Sequence, residues 1–398
     1  MELKKYKLGE ILELQRGYDL PSSQMKIGSV PVAGSNGVIG YHDTARGNYP
    51  CITVGRSGSV GKVHYYEQPT WAHNTALFVK NFKGNDPKYL YYFLKNLHLD
   101  EMFSKGSSVV PSLDRKVVHS LIVPFQEDKT CQKQIASVLS NIDRKIELNR
   151  AINQNLEAMA IQLYDYWFVQ FDFPDEEGKP YKSSGGKMVW NEKLKREIPE
   201  NWHSDNICLI ADILSGGTPS KQINEYWNCG HIPFFGPTDY NGSMFQLQTA
   251  DKITESGLQH CSSSLFEENT IIITARGSIG KLVIVGTPMA MNQSCYALKS
   301  KNEEYEYLYF LTIQLIESLK AKGSGSVFKS IIASDIENTM LCVANKGIIS
   351  LFCDKVSPIM KQIKKNTQEM IHLTKQRDEL LPLLMNGQVS VNSDLSDD

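Results

Sequence analysis

Two short stretches hold the residues best suited to chemistry: GRSGSVGK, from Gly55 to Lys62, and ARGSIGK, from Ala275 to Lys281. Each follows a strand-like apolar run, CITV or IIIT, and combines glycine, serine and cations. That combination grips phosphate, because glycine lets backbone N–H groups come close while arginine, lysine and hydroxyls supply charge and hydrogen bonds. A nucleotide P-loop is a different object: it needs GxxxxGK[ST] opening into a helix, with the hydroxyl on magnesium. Here Val63 and Leu282 follow the lysines and start another strand-like run. The pattern is that of a glycine-rich β-hairpin in which Gly58, Gly61, Gly277 and Gly280 permit tight turns. Its candidate contacts to a DNA backbone are Arg56, Ser57, Ser59 and Lys62 in the first stretch, and Arg276, Ser278 and Lys281 in the second. Lys105, Ser107, Lys322 and Ser324 form a further pair of candidates where a helix gives way to a strand-like segment; a solvated helix C-cap explains them equally well. Base readers such as Asn36 or Gln222 abound, and none can be singled out.

Catalytic patterns are missing. There is no GxGxxG opening a helix, no Asn-Pro-Pro-aromatic signature of amino-methyltransferases, no HExxH, and no HxE with CxxC. Asp175, Glu176, Glu177 and Lys179 evoke a nuclease cluster but sit in a charged, flexible stretch without a repeat partner, so they are expected to be solvated. The eight cysteines have no CxxC spacing, which indicates reduced, mostly buried thiols rather than zinc or disulfides. The formal charge of -2 lacks the basic surplus of a nucleic-acid binder, yet residues 1–126 hold 15 Lys+Arg against 10 Asp+Glu, which leaves room for a local basic face. MELKKYKLGEILEL has no apolar core behind its lysines, and no run approaches the roughly 18 apolar residues of a membrane span, so the expectation is a cytoplasmic protein.

The elements that position the two loops repeat. Ile52 to Val79 lines up with Ile271 to Leu298 at a spacing of about 219 residues. KYLYYFL from Lys88 matches EYLYFL from Glu306, and KGSS at Lys105 matches KGSGS at Lys322, in the same order. A seam at steps of mostly three and four runs through Phe352, Val356, Ile359, Ile363, Met370, Leu373, Leu380 and Leu384. A less regular one passes through Ile135, Val138, Leu139, Ile142, Ile146, Ile152, Leu156, Met159 and Leu163. Asn149 and Asn366 occupy matching places near the seams, either fixing register or facing solvent. Tyr164, Tyr166, Trp167 and Phe168 close the first seam and are expected to pack rather than stack on bases.

The predicted fold is α+β: two mixed α/β domains separated by two long antiparallel coiled-coil helices, with a pseudo-two-fold internal repeat. Residues 1–126 and 203–344 form the domains, 127–170 and 345–389 the helices, 171–202 a linker and 390–398 an acidic tail. Each helix, at some 35 to 40 residues, is about 50 to 60 Å long. If the chain turns back at the linker, the domains sit at opposite ends of the helical pair.

One stretch carries a family resemblance. Ile135 to Trp190, with its seam helix, its YDYWFVQFDFP exit and its PYKSSGGKM segment in order, resembles the central conserved region of type I restriction-modification specificity subunits. The plan of two target-recognition domains and two helical spacers matches as well. The resemblance implies a DNA-binding subunit that does no chemistry itself and binds no cofactor. It lends sequence preference to two methyltransferase subunits and, in the larger complex, two ATP-driven restriction/translocase subunits, with S-adenosylmethionine, ATP and magnesium held by those partners. The target would be bipartite double-stranded DNA methylated on adenine, each domain reading a half-site and the helices setting the gap. The helices and Phe171 to Gly186 would dock the methyltransferases. The competing expectations are a protein-binding scaffold and an enzyme with an unfamiliar site in the repeated loops.

Overall fold

A computed structural model describes residues 3–104, 112–322 and 330–391. The chain forms two compact units, Met1–Glu147 with His372–Asp398, and Leu148–Ile371. Both long helices are present, Lys129–Tyr164 with 36 residues and Lys346–Met385 with 40, and each contributes to both units. A π-helical turn, Asp165–Val169, extends the first of them.

The first unit is built on a four-stranded antiparallel sheet in the order Glu13–Arg16, Ala76–Asn81, Cys51–Gly55, Val63–Tyr66. The central strand Cys51–Gly55 is buried throughout, as continuous β-branched sequence between two partners requires. Pro87–Asn96 packs beside it; Asp86 caps this helix by accepting from the Tyr89 backbone N–H at 2.9 Å, and Pro87 fills the first turn, where no N–H is needed. A three-stranded sheet (Gly37–His42, Val30–Gly34, Trp71–Ala72) and the pair Lys4–Lys7 with Ile122–Phe125 complete the unit.

The second unit repeats that order in Ala211–Ser215, Cys295–Ser300, Ile271–Thr274 and Leu282–Val285, then adds Phe245–Gln246 at the edge. Tyr305–Lys322 takes the place of Pro87–Asn96, and His203–Asp205 with Leu341–Val343 takes the place of the pair of terminal strands. The predicted α+β repeat is therefore the observed fold.

Within each unit the helices run antiparallel. In the second, the Asn149 amide donates to Glu369 Oε2 at 2.8 Å, and Asn153 donates to the Ile363 carbonyl at 3.2 Å while accepting from Asn366 at 2.8 Å. In the first, Ile135, Ala136 and Leu139 share a core with Leu381, Leu384 and Met385. Asn149 and Asn366 are buried, so both face the seam. Two seam assignments are corrected: Ile152 is 38% exposed and Met159 55%. Asparagines 149 and 153 and Ala160 occupy the buried face instead, and a search for apolar residues settles on their neighbours.

The segment 171–202, expected to be a linker, is packed. Phe171, Phe173 and Trp202 belong to the core of the second unit, Asp172 holds Ser183 through its backbone N–H (2.7 Å) and hydroxyl (2.6 Å), and Met188–Asn191 pairs with Arg196–Pro199. Its aromatic content, not its Pro, Gly and charge, decides the outcome. Tyr164, Trp167 and Phe168 are core residues as expected, with Tyr166 partly exposed. Asp175 accepts from the backbones of Glu177 and Lys179, which makes that charged cluster a surface turn. The cysteines are free thiols; Cys51 and Cys295 are buried, Cys229 is exposed and the other five lie between.

Candidate nucleic-acid interface

Both glycine-rich stretches are hairpin turns. Cys51–Gly55 pairs antiparallel with Val63–Tyr66, and Ile271–Thr274 with Leu282–Val285. The four glycines sit at positive φ: Gly58 at 82°, Gly61 at 80°, Gly277 at 77° and Gly280 at 73°. The closing bonds also match, since Gly55 N–H donates to the Lys62 carbonyl at 2.8 Å and Thr274 N–H to the Lys281 carbonyl at 2.9 Å. Arg56 and Ser57 both donate from the backbone to Thr75; Ala275 and Arg276 both donate to Ser294. This fixes the register between copies: Ser57, not Arg56, is the counterpart of Arg276.

The candidate contacts differ in availability. Arg276, Ser278 and Lys281 are exposed, and the Lys281 ammonium lies 5.5 Å from the Tyr240 ring centre. Lys62 is exposed and donates to the Asn36 side-chain oxygen at 2.8 Å, so a predicted phosphate contact and a predicted base reader are one pair. Arg56, Ser57 and Ser59 are half-buried, the Arg56 guanidinium reaching the Asn74 carbonyl at 3.5 Å. Lys322 ends the helix Tyr305–Lys322. Lys105, Ser107 and Ser324 lie outside the described residues, as does 392–398 of the acidic tail.

Sequence reasoning missed a second feature of the first unit. Arg16, Arg46 and Arg115 line one cavity of about 640 Å³ together with Tyr18 and Asp19. Residues 1–126 contain four arginines, Arg16, Arg46, Arg56 and Arg115; three line this cavity and Arg56 reaches Asn74, whose side chain bonds Asp19. No local motif links residues spread over a hundred positions; their number against the single arginine of residues 203–344, Arg276, is the only signal the sequence held.

The fold creates this meeting by a close backbone approach. Gly17 ends the strand Glu13–Arg16, and a Cβ there would lie 2.1 Å from the His73 carbonyl oxygen, so only glycine fits. Gly216 does the same in the second unit, 2.2 Å from the Asn292 oxygen. The residues beyond the glycines are equivalent in place and different in chemistry: Asp19 bonds the Asn74 side chain in the first unit, Thr218 bonds Gln293 in the second. A cavity of about 480 Å³ in the second unit, lined by Glu267, Glu268, Glu303 and Glu306 besides Lys299 and Lys361, is acidic and unsuited to phosphate. Among the described residues no helix is long and apolar enough to cross a membrane.

Comparison with known proteins agrees with this layout. A family described as the type I restriction modification DNA specificity domain matches residues 1–158 and again 199–369, once for each repeat. The specificity subunit of type I restriction enzyme MjaIX from Methanocaldococcus jannaschii is 28% identical over 312 residues, which cover 76% of this chain and 69% of that protein. The specificity subunit of the HindI enzyme from Haemophilus influenzae is 25% identical over 357 residues, covering 76% of this chain and 77% of that one. In fold, the chain is similar to the crystal structure of a type I restriction-modification S subunit from M. genitalium, with a TM-score of 0.62 at 18% identity over 96% of both chains. With more than half of its length matched by the family, in two segments that coincide with the two hairpin-bearing repeats, the chain belongs to the type I restriction-modification DNA specificity family.

Proposed function

We propose that the chain reads a bipartite double-stranded DNA target, one half-site for each repeat, with the paired helices setting the unread gap. The repeat itself carries this reading: two hairpins of one backbone plan, each carrying serines and at least one exposed cation, stand in two copies of one fold. The hairpins grip phosphates through Arg56, Ser57, Ser59 and Lys62 and through Arg276, Ser278 and Lys281, which positions the domains without encoding sequence. Lys105, Ser107, Lys322 and Ser324 are included as the second phosphate-contacting pair. The chain performs no chemistry. Two methyltransferase subunits dock on the long helices and on Phe171 to Gly186, two restriction/translocase subunits join the larger complex in the cytoplasm, and S-adenosylmethionine, ATP and magnesium act in those partners on an adenine target.

Methylome sequencing of cells expressing this chain with its cognate methyltransferase subunit, against cells expressing the methyltransferase alone, tests the reading. A new split motif of two short half-sites with a fixed gap is the expected result. No new methylation, with both proteins associated, overturns it in favour of a protein-binding scaffold.

A further inference from the structure

The geometry points to Arg46 and Asp19 as the pair that reads a G·C base pair in the half-site of the first unit, a specificity role that rests on the DNA-recognition reading above. Arg46 is held from two sides. Its backbone N–H donates to the Thr70 carbonyl at 3.1 Å and its own carbonyl accepts from Ala72 at 2.9 Å, so the residue is fixed along Trp71. Its guanidinium carbon lies 4.0 Å from the centre of the Tyr18 ring and 5.7 Å from that of Trp71. Cation–π contact restrains the side chain while leaving its N–H groups to donate elsewhere. No described carboxylate forms an ion pair with it.

Asp19 decides between base and phosphate. A site meant only for phosphate gains nothing from a carboxylate in its lining, and Asp19 is 71% exposed in this cavity. Arg16 donates to its Oδ1 at 3.2 Å and Asn74 donates to the same oxygen, which leaves Oδ2 to accept from outside. The cavity thus offers a rigid guanidinium and an open carboxylate oxygen. The major-groove edge of a G·C pair presents the complement in order: guanine N7 and O6 accept, and cytosine N4 donates. An A·T pair alternates acceptor, donor and acceptor, and gives a guanidinium no two adjacent acceptors. Arg16 and Arg115, flanking the same cavity, hold the adjacent phosphates. In the second unit the corresponding turn carries Ser215, Gly217 and Thr218 beside Gln293, without an arginine, so the role belongs to the first unit.

The test uses the full chain with its methyltransferase subunit, titrated against duplexes carrying the methylome-defined target and every single-base substitution of it. In Arg46→Ala, affinity for the native target is expected to fall about 5- to 150-fold, with one G·C position now accepting any base. Arg46→Gln is expected to shift that position from guanine towards adenine, which glutamine reads. The other half-site and the gap stay unchanged in both. Uniform weakening at all sequences with a flatter salt dependence makes Arg46 a phosphate contact and overturns the proposal; so does an unaltered motif. If both variants lose cooperative melting, Asp19→Asn reports on the same base pair from its cytosine side, and unchanged discrimination there overturns the proposal too. A wild-type complex that binds every duplex equally refutes the proposed function itself, a result distinct from all of these.

Discussion

Aligned at their first residues, Lys129 and Lys346, the two long helices place Asp143 and Arg377 in the first unit where the second has Met360 and Ala160. The neighbouring short helices follow suit. Tyr92 of the first unit donates its hydroxyl to Asp143 Oδ2 at 2.6 Å while Arg377 donates to Oδ1 at 2.8 Å; the residue aligned with Tyr92 is Phe310, which has no hydroxyl. Phe310, Met360 and Ala160 all lie in the apolar core of the second unit. One repeat has therefore closed the same junction twice, once with a polar network centred on Asp143 and Arg377 and once with apolar side chains. The lesson is that a duplicated fold conserves where its helices meet and not what they meet with. Two different solutions also discourage either helix from pairing in the other's register.

The comparison breaks most readily at Phe352. This side chain is fully buried against Tyr164, Trp167, Phe168 and Phe310, with ring centres 5.0 to 5.9 Å away. Its counterpart in the first unit is the aliphatic Ile135. Phe352→Ala is expected to cost about 3 to 5 kcal/mol, because the emptied volume lies between rings that cannot collapse into it. Hydrogen exchange should show the loss in Leu148–Ile371 and spare Met1–Glu147; equal loss in both would mean that the two units unfold as one.

Asp143→Asn comes next. Asp143 and Arg377 retain 22% and 17% of their side-chain exposure, and removing the Asp143 charge leaves the Arg377 guanidinium with Asp378, 57% exposed, as its remaining ion-pair partner, at a cost of about 1 to 3 kcal/mol. The sharper variant imports the second unit's solution whole, Tyr92→Phe with Asp143→Met and Arg377→Ala. If the two junctions are interchangeable, this triple change restores the melting temperature to wild type or above it. Greater destabilisation than in the single variant would show that the surrounding first unit is fitted to the polar network.

Much of this was legible and some was not, for reasons that lie in range. The hairpins, their glycines and the long helices depend on neighbours in sequence, and the expected elements appear within a few residues of their predicted ends. The seam near Ile152 and Met159 was misplaced because Asn153 buys its burial with hydrogen bonds to Ile363, Asn366 and Thr367, more than 200 positions away. Segment 171–202 has the composition of a linker, and only the core it meets makes Phe171 and Trp202 structural. The arginine cavity is the extreme case: Arg16, Arg46 and Arg115 become neighbours through Gly17 and the strand pairing, and no window of sequence contains them together.

Acidification should separate the units by a smaller effect. Burial holds His64, His73 and His119, all in the first unit, below the ordinary histidine value of 6.5. His119 Nε2 accepts the Leu14 backbone N–H at 2.8 Å, so protonation would place a proton where one already points. For a histidine with a lowered folded pKa the unfolded chain binds the proton first, and the stability is complete above 6.5 and lost as pH falls through the folded value. The first unit should lose exchange protection over that window, and His119→Gln, which keeps an acceptor without titrating, should flatten part of the response. An identical pH profile in the variant would remove His119 from the cause.

The smallest expected effect concerns the hairpins, whose register makes Arg276 the counterpart of Ser57. Arg276→Ala removes one exposed cation and should lower the slope of log affinity against log salt by about one, weakening all sequences alike. Ser57→Ala removes no charge and should leave the slope unchanged, although the backbone bond to Thr75 is the same as that of Arg276 to Ser294. Lys281→Ala should behave as Arg276→Ala does, and Arg56→Ala less strongly, since its guanidinium already reaches the Asn74 carbonyl. Equal slopes in wild type, Arg276→Ala and Lys281→Ala would take the second hairpin out of the DNA interface, and would leave the first unit as the main holder of phosphate.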